Sequence, residues 1–347
     1  MAKKVYVGLS GGVDSSVTAA LLQQQGYDVT GVYMKNWSQD LPGFECPWKE
    51  DYQDAKRVAV KLGIPFKMYD FETQYRDKVV QYMIDEYQAG RTPNPDIMCN
   101  QEVKFKLFLE AALEDGADMI ATGHYSRIQD GKLLVAQNHD KDQSYFLYRI
   151  TEGALTKSLM PIGGFATKAE VRELAAQFNL PTAGKKDSQG ICFVGKVGIK
   201  EFLQQYVKTK PGAIIDQAGR EIGQHDGAIF YTIGQRQGLN VGGGLPYYVV
   251  GKDMDKNQVF VTTDLDDDRL WKKSLSLTEL HWINDEPDMD KTYQVRTRYR
   301  APLVPCTIKL QDGGLKVVLD EQVRAITPGQ SAVLYDGDLV LGGGIVI

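Results

Sequence analysis

The chain has 347 residues; at roughly 150 residues per domain this corresponds to two or three domains, with cores large enough to need no disulfide or structural metal. Hydrophobic residues make up 43% and charged residues 24%, which excludes a disordered chain, and no run of about 18 uncharged apolar residues is present to span a membrane. With 40 basic against 45 acidic side chains the net charge is −5, which excludes a protein that coats nucleic acid by bulk positive charge but leaves room for a local basic patch.

Met1-Ala2-Lys3-Lys4 leads directly into the apolar stretch Val5 to Leu9, which is too short for a signal-peptide core, and no Arg- and Ser-rich transit segment precedes it. A soluble, cytoplasmic protein is expected. Val5 to Leu9 reads as a buried strand. Ser15 to Gln25 reads as a helix, with Val17, Ala20 and Leu21 on one face and Gly26 at its C-terminal end. Val29 to Met34 is a second strand, Asp51 to Leu62 a helix closed by Gly63, and Phe66 to Phe71 a third strand. Glu72 to Gln88 and Lys104 to Glu114 read as helices. Asp118 to Thr122 is another strand, opening onto Gly123-His124-Tyr125. Strands alternating with helices predict βαβ units around a parallel sheet. Thr167 and Glu170 form a capping box that starts a helix over 167–178.

Past about residue 208 glycine and proline become frequent and short alternating segments take over, such as Tyr247 to Val250, Val259 to Thr262, Tyr293 to Arg300 and Ala332 to Tyr335. These predict antiparallel sheets or a small barrel. The expected organisation is an α/β catalytic domain over 1–205, a small β-rich domain over 206–275 and a C-terminal β-barrel over 276–347. The glycine runs 242–244 and 342–344 read as tight turns. His139, His225 and His281 lack metal-like spacing, and no Cys-x-x-Cys pair exists, so no structural metal is expected.

Gly8-Leu9-Ser10-Gly11-Gly12-Val13-Asp14-Ser15-Ser16 joins the first strand to the first helix. Adjacent glycines let backbone N–H groups converge, and the helix N-terminus adds partial positive charge, which together make a phosphate cradle. Ser10 and Ser15 offer hydroxyl donors, and Asp14 a ligand for magnesium. The alternative is a plain strand-to-helix turn with Asp14 or Ser15 as N-cap. Neither the Walker A pattern nor GxGxxG is present.

The string from Ser10 to Ser16 resembles the pyrophosphate loop of the N-type ATP pyrophosphatases, which cleave ATP between the α and β phosphates and adenylate a substrate oxygen. Further segments, in order, resemble one branch of that family, the bacterial tRNA-specific 2-thiouridylases. They are residues 90–100 (GRTPNPDIMCN), 121–125 (ATGHY), 141–147 (KDQSYFL), 186–193 (KDSQGICF), 232–236 (TIGQR), 298–300 (RYR) and 327–331 (TPGQS). The resemblance covers nearly the whole chain. It implies a tRNA-uridine 2-sulfurtransferase that exchanges the 2-oxygen of the wobble uridine for sulfur in the tRNAs for lysine, glutamate and glutamine.

Cys99 follows a Pro-Asn-Pro-Asp turn and precedes the helix expected from Lys104, so a lowered thiol pKa is anticipated. Cys192 is flanked by Lys185, Lys186 and Lys196, cations that favour a thiolate or persulfide. Cys46 and Cys306 read as small buried hydrophobes.

By the resemblance, ATP binds on Gly8, Leu9, Ser10, Gly11, Gly12, Val13, Asp14 and Ser15 with adenine near Met34 and Gly123, and magnesium accompanies it. AMP transfer turns the uridine oxygen into a leaving group. Cys192 carries sulfur as a persulfide and attacks directly, or releases hydrosulfide when Cys99 attacks it. The two cysteines finish as a disulfide. Asp96 is the candidate general acid/base, with a plain turn residue as the alternative.

Lys291, Arg296, Arg298, Arg300 and Lys309, interleaved with Tyr293 and Tyr299, form a basic strip suited to RNA. The family pattern puts tRNA contacts on Arg298, Tyr299, Gln330, Lys141, Asp142, Gln143 and His124, and the target base on Asn94, Pro95 and Asp96. Tyr145, Phe146 and Tyr148 read as a packed helix face. The implied partners are the tRNA anticodon stem-loop and a persulfide donor such as a cysteine desulfurase or relay protein, with no membrane. The rival readings are an amide-forming enzyme of the same superfamily and a non-catalytic tRNA-binding protein.

Overall fold

The computed structural model describes residues 2–40, 45–186, 198–242 and 244–347. The first strand, β1 (Lys4–Gly8), is apolar on both faces: Val5 and Val7 point to one side and Tyr6 to the other, all buried. A strand covered on both faces belongs in the middle of a parallel sheet. β1 pairs in parallel with β2 (Asp28–Lys35) and β4 (Met119–Ala121), β3 (Phe66–Asp70) extends the sheet beyond β2, and Ser158–Leu159 closes the other edge.

One face of this sheet is covered by α1 (Val13–Gln24), α2 (Trp48–Leu62) and the helix Lys168–Gln177, which share a core containing Val17, Leu22, Val58 and Val171. Burying each such aliphatic side chain stabilises the layer by about 1.5–3 kcal/mol. Thr167 caps the helix Lys168–Gln177 by accepting from the Glu170 amide, and its hydroxyl donates to the Glu170 carboxylate. The other face is covered by the helical runs 72–88 and 95–114, whose core also takes in Val333, Tyr335 and Val340 from the C-terminal part of the chain.

Residues 212–262 contribute a four-stranded sheet in which Tyr248–Asp253, Gln258–Thr262, Gly212–Ile215 and Glu221–His225 lie side by side. The C-terminal region is a closed antiparallel barrel of six strands: Trp271–Trp282, Gly314–Arg324, Val304–Gln311, Thr292–Arg296, Ser331–Asp336 and Leu339–Val346, closed by pairing of the first with the last. Among the described residues, no helix is long and apolar enough to cross a membrane.

Two readings change. Gly342, Gly343 and Gly344 are not a turn: they lie within the last barrel strand, where a Cβ on Gly343 would stand 2.1 Å from the Ala332 carbonyl oxygen. Gly243 of the other run lies outside the described residues. A hairpin that the pattern reading passed over, Ser126–Gln129 with Lys132–Val135, turns at Asp130 and Gly131, both at positive φ. Asp-Gly is the expected turn chemistry there. This hairpin leaves the parallel-sheet domain and joins the barrel sheet, with Leu134 opposite Leu339. Tyr145 and Tyr148, both fully buried, bond Ser331 of the barrel through their hydroxyls.

Candidate active site

The loop between β1 and α1 is shaped by three close approaches. A Cβ on Gly8 would meet Met34 Cε at 2.9 Å, and one on Gly11, at φ +76, would lie 2.5 Å from the Asp51 carbonyl oxygen. One on Gly123 would stand 2.7 Å from the Ser15 backbone nitrogen. The loop, Met34 and Gly123 therefore converge. Gly12 is the residue preceding α1, and no side chain caps the helix. The capping alternative for Asp14 and Ser15 does not hold. The Ser15 hydroxyl instead accepts from Ser10 N and bonds back to the Gly12 carbonyl oxygen, both at 3.2 Å. With no side-chain cap, the first-turn N–H groups remain directed at whatever occupies the loop, and an anion suits them.

The Asp14 carboxylate accepts from Tyr125 Oη at 2.9 Å and from Lys168 Nζ at 2.5 Å. As a magnesium site this is a single carboxylate already neutralised by an ammonium, an incomplete donor set for an octahedral ion. Among the described residues no group of three or more metal-ligating side chains exists.

The second element is the helical run 95–114. Asn94 starts it, its Oδ1 accepting from Asp96 N at 3.2 Å, and Pro95 occupies the first helical position. The helix thus begins well ahead of Lys104, where the sequence pattern put it, and Cys99 lies one turn inside rather than before the N-terminus. The anticipated fall in thiol pKa is overturned. Cys99 is buried, and desolvation pushes its thiol up, against the opposing pull of Lys104; Asp96 adds to the rise and a Tyr75 hydrogen bond opposes it. The helix-end field fades within the first turn, so burial prevails. Burial also raises Asp96, again opposed by Lys104. A buried carboxyl that holds its proton more tightly suits exchange of that proton with a substrate.

His124 connects the two elements. It follows Gly123, is itself buried, and places Nδ1 2.8 Å from Thr122 Oγ1 and Nε2 3.4 Å from Lys104 Nζ. Burial, with the charge of Lys104 adding, holds its pKa well below the ordinary value. Contacts thus run from Ser15 through Gly123 and His124 to Lys104, whose charge acts on both Asp96 and Cys99.

Cys192 lies outside the described residues, as do Asp187–Phe193 and Lys196. Lys185 is described. It bonds Asp51 at 2.8 Å and Asp54 at 2.7 Å on α2, so its charge is already matched there rather than left free for a neighbouring sulfur.

The basic strip divides. Tyr293 is buried in the barrel core, and Arg296 pairs with the buried Asp142 at 3.3 Å, so neither faces solvent as an RNA ligand would. Asp142 also accepts from Ala136 N, Ser144 N and Ser144 Oγ, so its carboxylate shapes the Lys141–Gln143 segment from within. Gln143 Oε1 accepts from Tyr125 N at 2.9 Å. Lys141 is half-buried, and Arg298 and Arg300 are exposed. The Tyr299 ring packs on Phe146 at 4.4 Å between centroids, under the Arg300 guanidinium. Gln330 donates to the Thr92 carbonyl oxygen, tying the barrel to the loop that carries Asn94, Pro95 and Asp96.

Lys104, Tyr125, Lys168 and Tyr75 were not singled out in the sequence. Lys104 was within reach: with the helix started at Asn94-Pro95, it falls about two turns after Asp96 on the same face. Lys168 and Tyr125 reach Asp14 only through the tertiary fold.

Residues 3–196 match the family model for the tRNA methyl transferase HUP domain, 200–263 that for the tRNA methyl transferase PRC-barrel domain, and 272–346 that for the aminomethyltransferase beta-barrel domain. The tRNA-specific 2-thiouridylase MnmA of Neisseria meningitidis serogroup A is 50% identical over 348 residues, an alignment spanning 99% of this chain and 95% of that one. MnmA 2 of Geobacillus kaustophilus is 48% identical across 99% of this chain and 94% of its own, and MnmA of Chromobacterium violaceum is 48% identical across 99% and 92%. Similarity of this extent, running through the nucleotide loop, the Asp96–Cys99 helix and the barrel alike, makes the chain a member of the tRNA-specific 2-thiouridylase family.

Proposed function

We propose that the protein thiolates the 2-position of the wobble uridine in tRNA, using ATP to activate the oxygen and a cysteine persulfide to supply sulfur. One observation carries the reading: the uncapped N-terminus of α1 and the buried Asp96–Cys99 helix meet through Gly123, His124 and Lys104. ATP lies on Gly8 to Ser15, beside Met34 and Gly123. The uridine 2-oxygen attacks the α-phosphate and pyrophosphate departs, its charge held by the first-turn N–H groups. Sulfur from a Cys192 persulfide then reaches C2, and AMP leaves with the original oxygen. Cys99 either attacks the inner sulfur of the persulfide first, releasing the hydrosulfide that attacks C2, or attacks the Cys192 sulfur of the C2–S–S–Cys192 adduct, breaking its S–S bond and releasing the thiolated base; each route leaves a Cys99–Cys192 disulfide. An external reductant resets the pair. Asp96 exchanges a proton with the base. When magnesium accompanies ATP it supplies charge neutralisation on the phosphates.

The tRNA body rests on Arg298, Tyr299 and the Lys141–Gln143 segment, and Gln330 braces the loop at the target base. The wobble base leaves its stack to reach Cys99. A persulfide-bearing donor protein in the cytoplasm charges Cys192. The test is incubation with ATP, a persulfide donor and unmodified tRNA, followed by nucleoside analysis. The expected product is 2-thiouridine, with AMP and pyrophosphate formed in step. No thiolated nucleoside, or AMP formation independent of tRNA, overturns the reading.

A further inference from the structure

We propose that RNA phosphates are held along the junction between the four-stranded sheet over 212–262 and the barrel, by Arg236 and Arg324 acting with Arg298 and Arg300. The inference rests on reading tRNA as the substrate. Of the thirteen arginines in the chain, eight pair with a carboxylate within 4.0 Å. Arg172 is spent on the Ala183 and Lys185 carbonyl oxygens. The other four are Arg236, Arg298, Arg300 and Arg324. All four are exposed, and among the described residues none has a carboxylate within 4.0 Å.

The four gather where the two sheets interlock. Gly234, at φ +84, lies so close to the barrel that a Cβ on it would stand 2.6 Å from the Ala325 Cβ. Ala325 follows Arg324, and its carbonyl oxygen accepts from Arg298 Nη2 at 3.5 Å, with Thr327 Oγ1 accepting from the same nitrogen at 3.1 Å. Gly234 N donates to the Val249 carbonyl oxygen at 2.8 Å, and beside Val249 the Tyr248 ring lies under the Arg324 guanidinium, 4.6 Å from its centroid. Gln235 holds the loop on either side of Arg236: its Oε1 accepts from Thr232 N at 3.0 Å and its Nε2 donates to the Gln237 carbonyl oxygen at 2.9 Å.

Unpaired arginines on a chain of net charge −5 make a local cationic site, and phosphate is the anion that their planar fork fits. Arg324 over Tyr248 and Arg300 over Tyr299 each have one guanidinium face against a ring, which leaves the N–H edge for a phosphate oxygen. The same loop reaches the target-base segment, since Thr232 Oγ1 lies 3.2 Å from Thr92 Oγ1, two residues before Asn94. A backbone lying along the junction is thereby led toward Asn94, Pro95 and Asp96. The sheet over 212–262 is in this way a binding element and not a spacer.

The test reads binding without ATP, sulfur donor or turnover, by filter binding of unmodified tRNA to the full-length protein across a salt series. Arg236→Gln and Arg324→Gln are each expected to weaken binding about fivefold. Each is also expected to lower the slope of log affinity against log salt by about one, the signature of one lost phosphate contact. Arg236→Lys and Arg57→Gln, the latter at an arginine already paired with Asp54, are expected to keep the wild-type slope. In the wild-type protein, tRNA is expected to shield Arg236 and Arg324, but not Arg57, from phenylglyoxal, as read by peptide mass spectrometry; this holds even where a variant fails to fold. Unchanged slopes in folded variants, or equal modification of Arg236 and Arg324 with and without tRNA, overturn the proposal and leave the junction to an acidic protein. Junction-dependent binding without any 2-thiouridine formed removes the thiolation reading alone, and 2-thiouridine formed with unchanged slopes removes this inference alone. A wild-type protein that does not bind tRNA overturns both.

Discussion

Gln330, at the edge of the barrel, donates its side-chain amide to the Thr92 carbonyl oxygen at 2.7 Å, and the Thr92 amide donates to the Pro328 carbonyl oxygen at 2.9 Å. The loop leading to Asp96 is thus laced to the barrel from both sides. A Cβ on Gly329 would stand 2.7 Å from the Thr92 nitrogen, so the two backbones meet with no room for a side chain.

Gln330→Ala removes one strand of that lacing. Loss of a single hydrogen bond is worth about 1 kcal/mol, or about fivefold. The expected result is a fall of about that size in kcat/KM for tRNA, with KM for ATP unmoved. Steady-state thiolation with each substrate varied in turn checks this, and an equal change for both substrates counts against it.

Cys99→Ser and Cys192→Ser are each expected to abolish 2-thiouridine while tRNA binding persists. Filter binding and nucleoside digests measure the two properties separately. Undiminished thiouridine in either variant removes the two-cysteine mechanism.

Gly123→Ala places a methyl against the Ser15 nitrogen, where no side chain can yield because the contact is backbone to backbone. The first turn of α1 would be displaced from the phosphates. Loss of one charge-assisted contact of about 1.5–3 kcal/mol corresponds to ATP binding weakened at least about tenfold. Calorimetric titration with ATP reads this, and wild-type affinity would show that Gly123 does not border the nucleotide.

Asp96→Asn is expected to stabilise the fold at neutral pH while ending catalysis. Burial raises the Asp96 pKa, so the folded state prefers the protonated acid, and rising pH works against it. Below the ordinary carboxyl range Asp96 is protonated in both folded and unfolded chains, so the variant has no advantage there. Above it the ionised group weighs on the native state alone. A Tm difference of a few degrees that grows from about pH 4 to about pH 7 is the expected signature, since each kcal/mol shifts Tm by roughly 2–4 °C at this size. A difference that shrinks with pH contradicts the assignment.

The central sheet was legible because β1 and β2 are apolar on both faces, a pattern that only a covered parallel sheet accommodates. Asn94-Pro95 was a legible helix start as well, but Lys104 drew the boundary, and the error carried over into the thiol: a cysteine read ahead of a helix end proved to be a buried residue within it. The Asp130-Gly131 turn carried its own signal. What no local pattern contained is the pairing of distant groups, such as Lys168 on Asp14 or Asp142 on Arg296. Such pairs are invisible in the sequence, because charges far apart in the chain can neutralise each other only after folding.

The hairpin over 126–135 leaves β4 through His124 and Tyr125 and ends as an extra strand beside the barrel, with Arg127 bonded to Asp338 at 2.5 Å. A protein dissected into its front and rear portions would not part at a flexible tether. The cut would split a shared ladder, strand the hydroxyls of Tyr145 and Tyr148, and bare an apolar seam on each fragment. Neither half is built to be an independent tool.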